Sequence, residues 1–402
     1  MAQAMIIRKS KRALNLALMR LLLGSKDNAS HFAWAGPGSA QQLCRQIIDT
    51  GHRSVMIVTD TALRELGVAE RAAAALLSSD IDVHWFDKVM PDPTFDLVRE
   101  GIEALRVAGS TAVLAIGGGS SMDAAKAIAM SRYCSDDPQV WVGFNKAPKE
   151  AAAIFAMPTT AGTGSEATMG AVITDAVTHT KHVIAGAAML PRAVAIDPDL
   201  MVGLPGPITA ATGIDALTHG IEAYIGVWER GTRTETARLA VQGVFQSLSL
   251  AISAPDDVVA RMSMAVAAYY GGVAINQVNV GNVHAIAHQL GGKYGIPHGV
   301  ANGLVLPHVL RCYGPIVEER LAELSLAAGV SFAPSQAARA SAFIDSIVAL
   351  RAEVGLSETD SRLQAADFET IADAACAEGD AYPSPRLLQK SEVMAILKAI
   401  AG

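Results

Sequence analysis

The sequence predicts an α/β dinucleotide-binding domain built on a parallel sheet, followed by an all-helical domain. Three observations predict it: the length, the alternation of strand-like and helical runs up to about residue 204, and the near disappearance of strand-like runs beyond. A single hydrophobic core stops growing at roughly 250–300 residues, so a chain of 402 residues implies two domains. Apolar residues make up 51% and charged residues 18%, a composition for large buried cores rather than disorder. The formal net charge of -7 repels phosphate backbones and argues against a nucleic-acid partner.

In chain order, residues 54–59 (SVMIVT), 82–86 (DVHWF), 111–116 (TAVLAI), 154–157 and 194–196 read as short buried strands. Helical stretches begin at Thr61 and cover 95–107 and 121–130. Strands separated by helices of about ten residues imply βαβ units and a parallel sheet. Beyond about Leu204, Ala- and Leu-rich helical segments follow at 209–225, 234–252, 256–277, 316–328 and 335–354. Pro198, Pro205 and Pro207 mark the boundary. The expected division is an arm over 1–30, a dinucleotide-binding domain over 31–204 and a helical metal-binding domain over 205–402.

Residues 1–26 carry six basic residues and no acidic one, with a mostly apolar stretch at 14–23. That composition resembles a targeting segment, but Arg20 interrupts the apolar run and no clear small-residue cleavage pattern follows. A helical arm packed on the body or on a neighbouring subunit is the expectation. No run approaches the ~20 apolar residues of a membrane span, so no membrane partner is expected. Cys44, Cys134, Cys312 and Cys376 form no CxxC pair, which points to free thiols in a reducing cytoplasm.

Two loops have the composition of phosphate and ribose sites. Gly117, Gly118, Gly119 and Ser120 follow the strand TAVLAI and open a helix. Glycines let the backbone approach a ligand, and the helix start offers unpaired N–H groups to a pyrophosphate. The spacing is not GxGxxG, and a tight strand-to-helix turn would look the same. The loop PTTAGTGSE, with Thr159, Thr160, Thr163 and Ser165, is rich in hydroxyls and also follows a strand. A surface loop with a capping box between Thr163 and Glu166 is its other reading. Two such loops after strands of one parallel sheet suggest a nucleotide at the strands' carboxyl ends. Asp60, which ends SVMIVT, suits either a ribose contact that favours NAD over NADP or a helix N-cap.

Asp215 and His219 lie four apart in GIDALTHGIEAY, on one face of a helix. His284 and His288 are also four apart, and His298 follows the break GGKYGIPHG. These five side chains are candidate ligands for a borderline divalent cation such as Fe²⁺ or Zn²⁺. Structural, hydrogen-bonded histidines remain the alternative at this point.

The stretches PDPTFDLVREGIEAL, AIGGGSSMDAAKAIA, MPTTAGTGSEAT, AIDPDL, ATGIDALTHGIEAYI and HAIAHQLGGKYGIPHGVANGLVLPHVL resemble the iron-type (group III) alcohol dehydrogenase family. The resemblance runs from about His31 to Arg386. It implies the architecture shared with dehydroquinate synthase, with the active site between the two domains. It also implies metal ligands at Asp215, His219, His284 and His298, with His288 near the nicotinamide and substrate. The GGGS and TTAGTGS loops, with Asp123 on the helix after the first, would hold NAD. Asp60 would face the adenine ribose, and Lys181 in THTKHVI would reach a ribose. The implied activity is hydride transfer between NAD(H) and a small alcohol or aldehyde at a bound Fe²⁺, with Zn²⁺ as the alternative, in a cytoplasmic homodimer.

Three features depart from the family pattern. The arm is longer than in many members, PSPR at 383–386 stands where NPR is common, and Gly220 stands where Ala is common. Two other readings accompany the resemblance: a non-redox, dehydroquinate-synthase-like enzyme that uses NAD transiently, and a catalytically silent NAD-binding protein.

Overall fold

A computed structural model describes Arg8, Arg12 and residues 31–178, 180–228 and 231–402. Apart from Arg8 and Arg12, the expected arm lies outside the described residues. The chain forms two compact units. One comprises Ser30–Pro205 and Leu250–Gly272; the other comprises Gly206–Ser249, Val273–Gly402 and the two arm arginines. A single cut near residue 204 therefore does not separate them. Leu250–Gly272, which the sequence assigns to the helical half, joins the α/β unit.

The α/β unit is built on a six-stranded parallel sheet: β1 (Phe32–Ala35), β2 (Ser54–Val58), β3 (Asp82–Phe86), β4 (Ala112–Gly117), β6 (Ala153–Pro158) and β9 (Ala193–Ile196). Their spatial order is β1-β9-β6-β4-β2-β3. Central strands β4, β6 and β9 are buried along their whole length, which is why they read as unbroken apolar runs. Val55, Ile57, Leu114 and Phe155 from the sheet pack with Leu43 and Leu76 from the covering helices.

A second sheet, order β5-β8-β7, joins β5 (Gly143–Phe144), β7 (Gly170–Thr174) and β8 (Lys181–Ala185). Sequence reasoning missed these strands and β1. The first two residues of β1 are exposed; β7 alternates half-buried with buried positions, and β8 buries only Ile184 and exposes Val183, over five residues each. None offers the continuous apolar signal of a central strand.

In the second unit no strand appears among the described residues, only an isolated bridge between Asp360 and Ala401. Helices Gly206–Ile225, Asn282–Tyr294 and His298–Tyr313 carry the five candidate ligands. Gly220 has a packing role: an added Cβ would lie 2.9 Å from Val241 Cγ2 and 3.0 Å from the Ala237 carbonyl. The glycine thus lets helix Thr232–Ser253 lie close against the ligand-bearing helix.

One expectation needs correction. Helix Val258–Val278 is, by length and composition, long and apolar enough to cross a membrane, although no such run was expected. Arg261, Asn276 and Gln277 interrupt its apolar character, so the sequence shows no unbroken apolar run there. Half of its most apolar window is buried inside the fold.

Candidate metal centre and cofactor loops

β2, β4 and β6 are neighbours in the sheet, and the predicted cofactor segments follow their carboxyl ends. The chain leaves β2 toward β3 on one side and returns at β4 on the other, so the order reverses between β2 and β4. Dinucleotides bind parallel sheets at such a reversal. Gly117 pairs in register with Pro158, and Thr159 N donates to the Gly117 carbonyl at 3.0 Å. The two loops are thereby fastened together. Helix Gly119–Met130 starts at Gly118 without a side-chain cap, which leaves its first N–H groups for a ligand. Glycine is required here on space as well as conformation. A Cβ on Gly119 would lie 2.6 Å from Thr163 Cγ2, and Gly117 has φ 153° with Ser121 Oγ 2.4 Å from an added Cβ.

The loop after β6 is held from beneath by a residue the sequence did not single out. Lys126 is fully buried and donates to the Ser165 carbonyl (2.6 Å), Ser165 Oγ (2.7 Å), Thr168 Oγ1 (3.0 Å) and the Gly170 carbonyl (2.7 Å). Burial lowers its pKa to about 8, against the pull of Asp123 and Glu166. Asp123 accepts from Ser165 Oγ at 2.7 Å and from Val172 N at 2.8 Å; burial raises its carboxyl. Asp123 and Ser165, predicted as cofactor contacts, thus bind each other. Lys126 lies one helical turn beyond Asp123, a spacing that could have signalled the pair. Ser165 and Glu166 are buried, so the alternative of a surface loop does not hold. Burial pushes Glu166 up to about 7.

Asp60 caps the short helix Thr61–Glu65, its Oδ1 accepting from Leu63 N at 2.9 Å. Lys181 pairs with Asp92 at 2.6 Å, and Asp92 N donates to Ser120 Oγ at 3.3 Å. Lys181 is thereby linked to the GGGS loop through one residue.

In the second unit, Asp215, His219, His284 and His298 each offer one ligand atom, all within 4.8 Å of one another. Asp215 Oδ1 lies 3.7 Å from His219 Nε2, 3.7 Å from His284 Nε2 and 3.4 Å from His298 Nε2. Ligands about 2.1 Å from a tetrahedral ion sit roughly 3.4 Å apart, so these separations fit one divalent cation. The donor set of three imidazoles and a carboxylate also suits Fe²⁺ or Zn²⁺. Burial would raise the Asp215 carboxyl, but His219, His298 and His284 together hold it well below the usual carboxylate range.

Two further side chains hold these ligands. Glu222 is buried on the same helix, seven residues after Asp215. Its Oε2 accepts from Gly281 N at 2.8 Å and lies 2.6 Å from His284 Nδ1; its Oε1 accepts from Val283 N at 2.7 Å. One carboxylate thereby caps helix Asn282–Tyr294 and fixes the His284 ring, leaving Nε2 for a metal. Burial lowers the His284 pKa, but the neighbouring Asp215 and Glu222 carboxylates raise it to about 9. Asn302 is fully buried; its Nδ2 donates to Asp215 Oδ1 at 2.8 Å and lies 3.3 Å from both His284 Nε2 and His298 Nε2. Helical spacing could have flagged both, since Glu222 follows Asp215 by seven and Asn302 follows His298 by four. The fifth candidate, His288, stacks on His298 with centroids 5.3 Å apart, and its Nδ1 lies 2.6 Å from Glu378 Oε1.

Residues 31–198 match the family description "Iron-containing alcohol dehydrogenase", and 209–401 match "Fe-containing alcohol dehydrogenase family, C-terminal". The chain belongs to the iron-containing alcohol dehydrogenase family. Among the relatives of this alcohol dehydrogenase family, the 1,3-propanediol dehydrogenase of Citrobacter freundii is 35% identical over 369 residues, covering 90% of this chain and 95% of the relative. The lactaldehyde reductase of Escherichia coli K12 is 33% identical over 351 residues, covering 85% and 91%. A crystal structure of a 1,3-propanediol oxidoreductase superposes with a TM-score of 0.88 at 34% identity, covering 91% of this chain and 97% of that one. The redox chemistry of alcohols and aldehydes is that of this family, and both the parallel sheet and the helical unit are its architecture.

Proposed function

We propose that this protein is an NAD(H)-dependent dehydrogenase of small alcohols, or reductase of small aldehydes, that uses Fe²⁺, with Zn²⁺ as the alternative ion. The observation that carries this reading is the convergence of Asp215, His219, His284 and His298 at separations that fit one cation. When bound, that ion supplies Lewis acidity toward an alcohol or carbonyl oxygen, and the nicotinamide accepts or supplies the hydride. Asp215 and the three imidazoles hold the ion, while Glu222 and Asn302 orient them. His288 moves the proton at Nε2, because its Nδ1 is occupied by Glu378. Residues 117–120 and the loop with Thr159, Thr160 and Thr163 bind the dinucleotide, with Asp123, Lys126 and Ser165 shaping that loop. Lys181 bonds a ribose. Asp60 accepts the adenine ribose hydroxyls and disfavours a 2′-phosphate, which selects NAD over NADP.

The named activities of the Citrobacter and Escherichia relatives make short diols and hydroxyaldehydes the first substrates to try. The cellular reading is a homodimer in the cytoplasm.

The test is NAD⁺ reduction over a panel of primary alcohols and diols, after reconstitution with Fe²⁺ or with Zn²⁺. Metal-dependent NADH formation is expected, abolished by chelation and by His284→Ala together with loss of bound metal. Undiminished turnover by the chelated protein would refute the reading.

A further inference from the structure

Two of the departures from the family pattern meet in space. Arg12, in the long arm, donates through Nη2 to the Ser384 carbonyl within PSPR. Arg8 grips the Asp380 carboxylate with two bonds, from Nε and Nη2, each 2.6 Å. Its Nη2 also reaches the carbonyls of Cys376 at 3.5 Å and Leu388 at 3.3 Å. Two arginines from one end of the sequence thus hold four points along residues 376–388. A two-pronged guanidinium–carboxylate contact fixes geometry as well as distance. With side chains more than a quarter exposed, it adds little to stability, so its effect is chiefly on placement.

The stretch being held carries Glu378. Both oxygens of its carboxylate are engaged. Oε1 lies 2.6 Å from His288 Nδ1 and accepts from the Tyr382 hydroxyl at 2.7 Å, while Oε2 accepts from Gln289 Nε2 at 2.7 Å. A carboxylate tied at three points holds the imidazole in one orientation and keeps the Nδ1 proton in place, so Nε2 is the nitrogen presented. The Glu378 backbone lies between two of the carbonyl and carboxylate contacts of Arg8, those at Cys376 and Asp380.

We propose that Glu378 is the positioning residue of His288, and that Arg8 and Arg12 of the N-terminal arm set its placement by clamping residues 376–388. This rests on His288 being the proton relay. Arg8 and Arg12 are then part of the active-site scaffold. Displacing a reacting group by about 1 Å costs up to roughly 100-fold in rate.

The test measures kcat, KM, bound metal and NADH affinity for Glu378→Ala, for the double variant Arg8→Ala/Arg12→Ala, for His288→Ala, and for each of the first two combined with His288→Ala. Glu378→Ala is expected to lower kcat by up to about 100-fold and the arm variant by a smaller factor. Metal content and NADH affinity should stay at wild-type values. In the His288→Ala background neither change should lower kcat further, whereas a purely structural defect would lower it again. Glu378→Gln keeps an oxygen acceptor for the Nδ1 proton and should recover most of the lost kcat. Arg8→Lys, which cannot form the two-pronged contact, should fall between wild type and the arm variant; these two remain readable if an alanine variant does not fold. Equal losses in both backgrounds, or wild-type kcat in Glu378→Ala or in the arm variant, would overturn the proposal while leaving the relay intact. Wild-type turnover by His288→Ala would sink the relay and the proposal together.

Discussion

Glu222→Gln changes one atom type at the candidate metal centre, and its consequence follows from counting hydrogen bonds. Glu222 takes three donors: Val283 N on Oε1, and both Gly281 N and His284 Nδ1 on Oε2. A glutamine has one oxygen, so one side must face an NH₂ group. If the oxygen replaces Oε2, Val283 N is left against a donor in a buried site, at about 1–3 kcal/mol. If it replaces Oε1, two donors are lost, and His284 is driven to the other tautomer, with its proton on the nitrogen a metal needs. Either way the His284 ring is held less firmly as a ligand. Losing such an outer partner typically weakens metal binding 10- to 100-fold, about 1.4–2.8 kcal/mol. The assay is Zn²⁺ or Co²⁺ affinity by competition with a chromophoric chelator, alongside kcat at saturating metal. Affinity within twofold of wild type would show that Glu222 serves only as a helix cap and refute the reasoning.

Two other perturbations act in the α/β unit. Lys126→Met removes the donor shared by four oxygens and leaves Asp123 without its cation in a buried site. A loss of roughly 3–5 kcal/mol is expected, seen as a fall in Tm with a raised KM for NAD⁺; an unchanged Tm would contradict it. His31, whose Nε2 lies 2.7 Å from the Tyr269 hydroxyl, is lowered by burial from 6.5 to about 4. The unfolded chain therefore binds more protons than the folded one between those values, so stability falls as pH drops from 6.5 to 4 and the loss is complete below 4. His31→Gln should flatten denaturant-measured stability across that window relative to wild type; parallel curves would show that His31 does not contribute.

The parts of the molecule most readable from sequence are those whose signal is local. β4 and β6 announce themselves as continuous apolar runs because both faces are covered. Asp215 with His219, and His284 with His288, are visible as helical i, i+4 pairs. What binds the pairs to each other was less visible, because it is set by tertiary packing. Glu222 reaches His284 from another helix, and Asn302 touches ligands from three. Lys126 carried no local signal, because its role comes from its burial beneath the loop after β6. β1 escaped notice because a short, half-exposed edge strand lacks the patterning of a central one. The membership of Leu250–Gly272 in the α/β unit has no signature in its own residues at all.

That last feature governs how the molecule can be taken apart. Gly164, in the loop after β6, has φ +59°, and an added Cβ there would meet Gly272 Cα at 2.5 Å and the Ala268 carbonyl at 2.6 Å. A Cβ on Gly272 would in turn meet the Gly164 carbonyl at 2.2 Å. Two backbones lie flush, with no room for a side chain on either. A fragment ended at Pro205 would carry the whole six-stranded sheet yet lack the wall on which the loop after β6 rests. The half of the gene that looks self-sufficient borrows a structural support from the other, so fusing or swapping halves between relatives at that point would mismatch a contact with no slack.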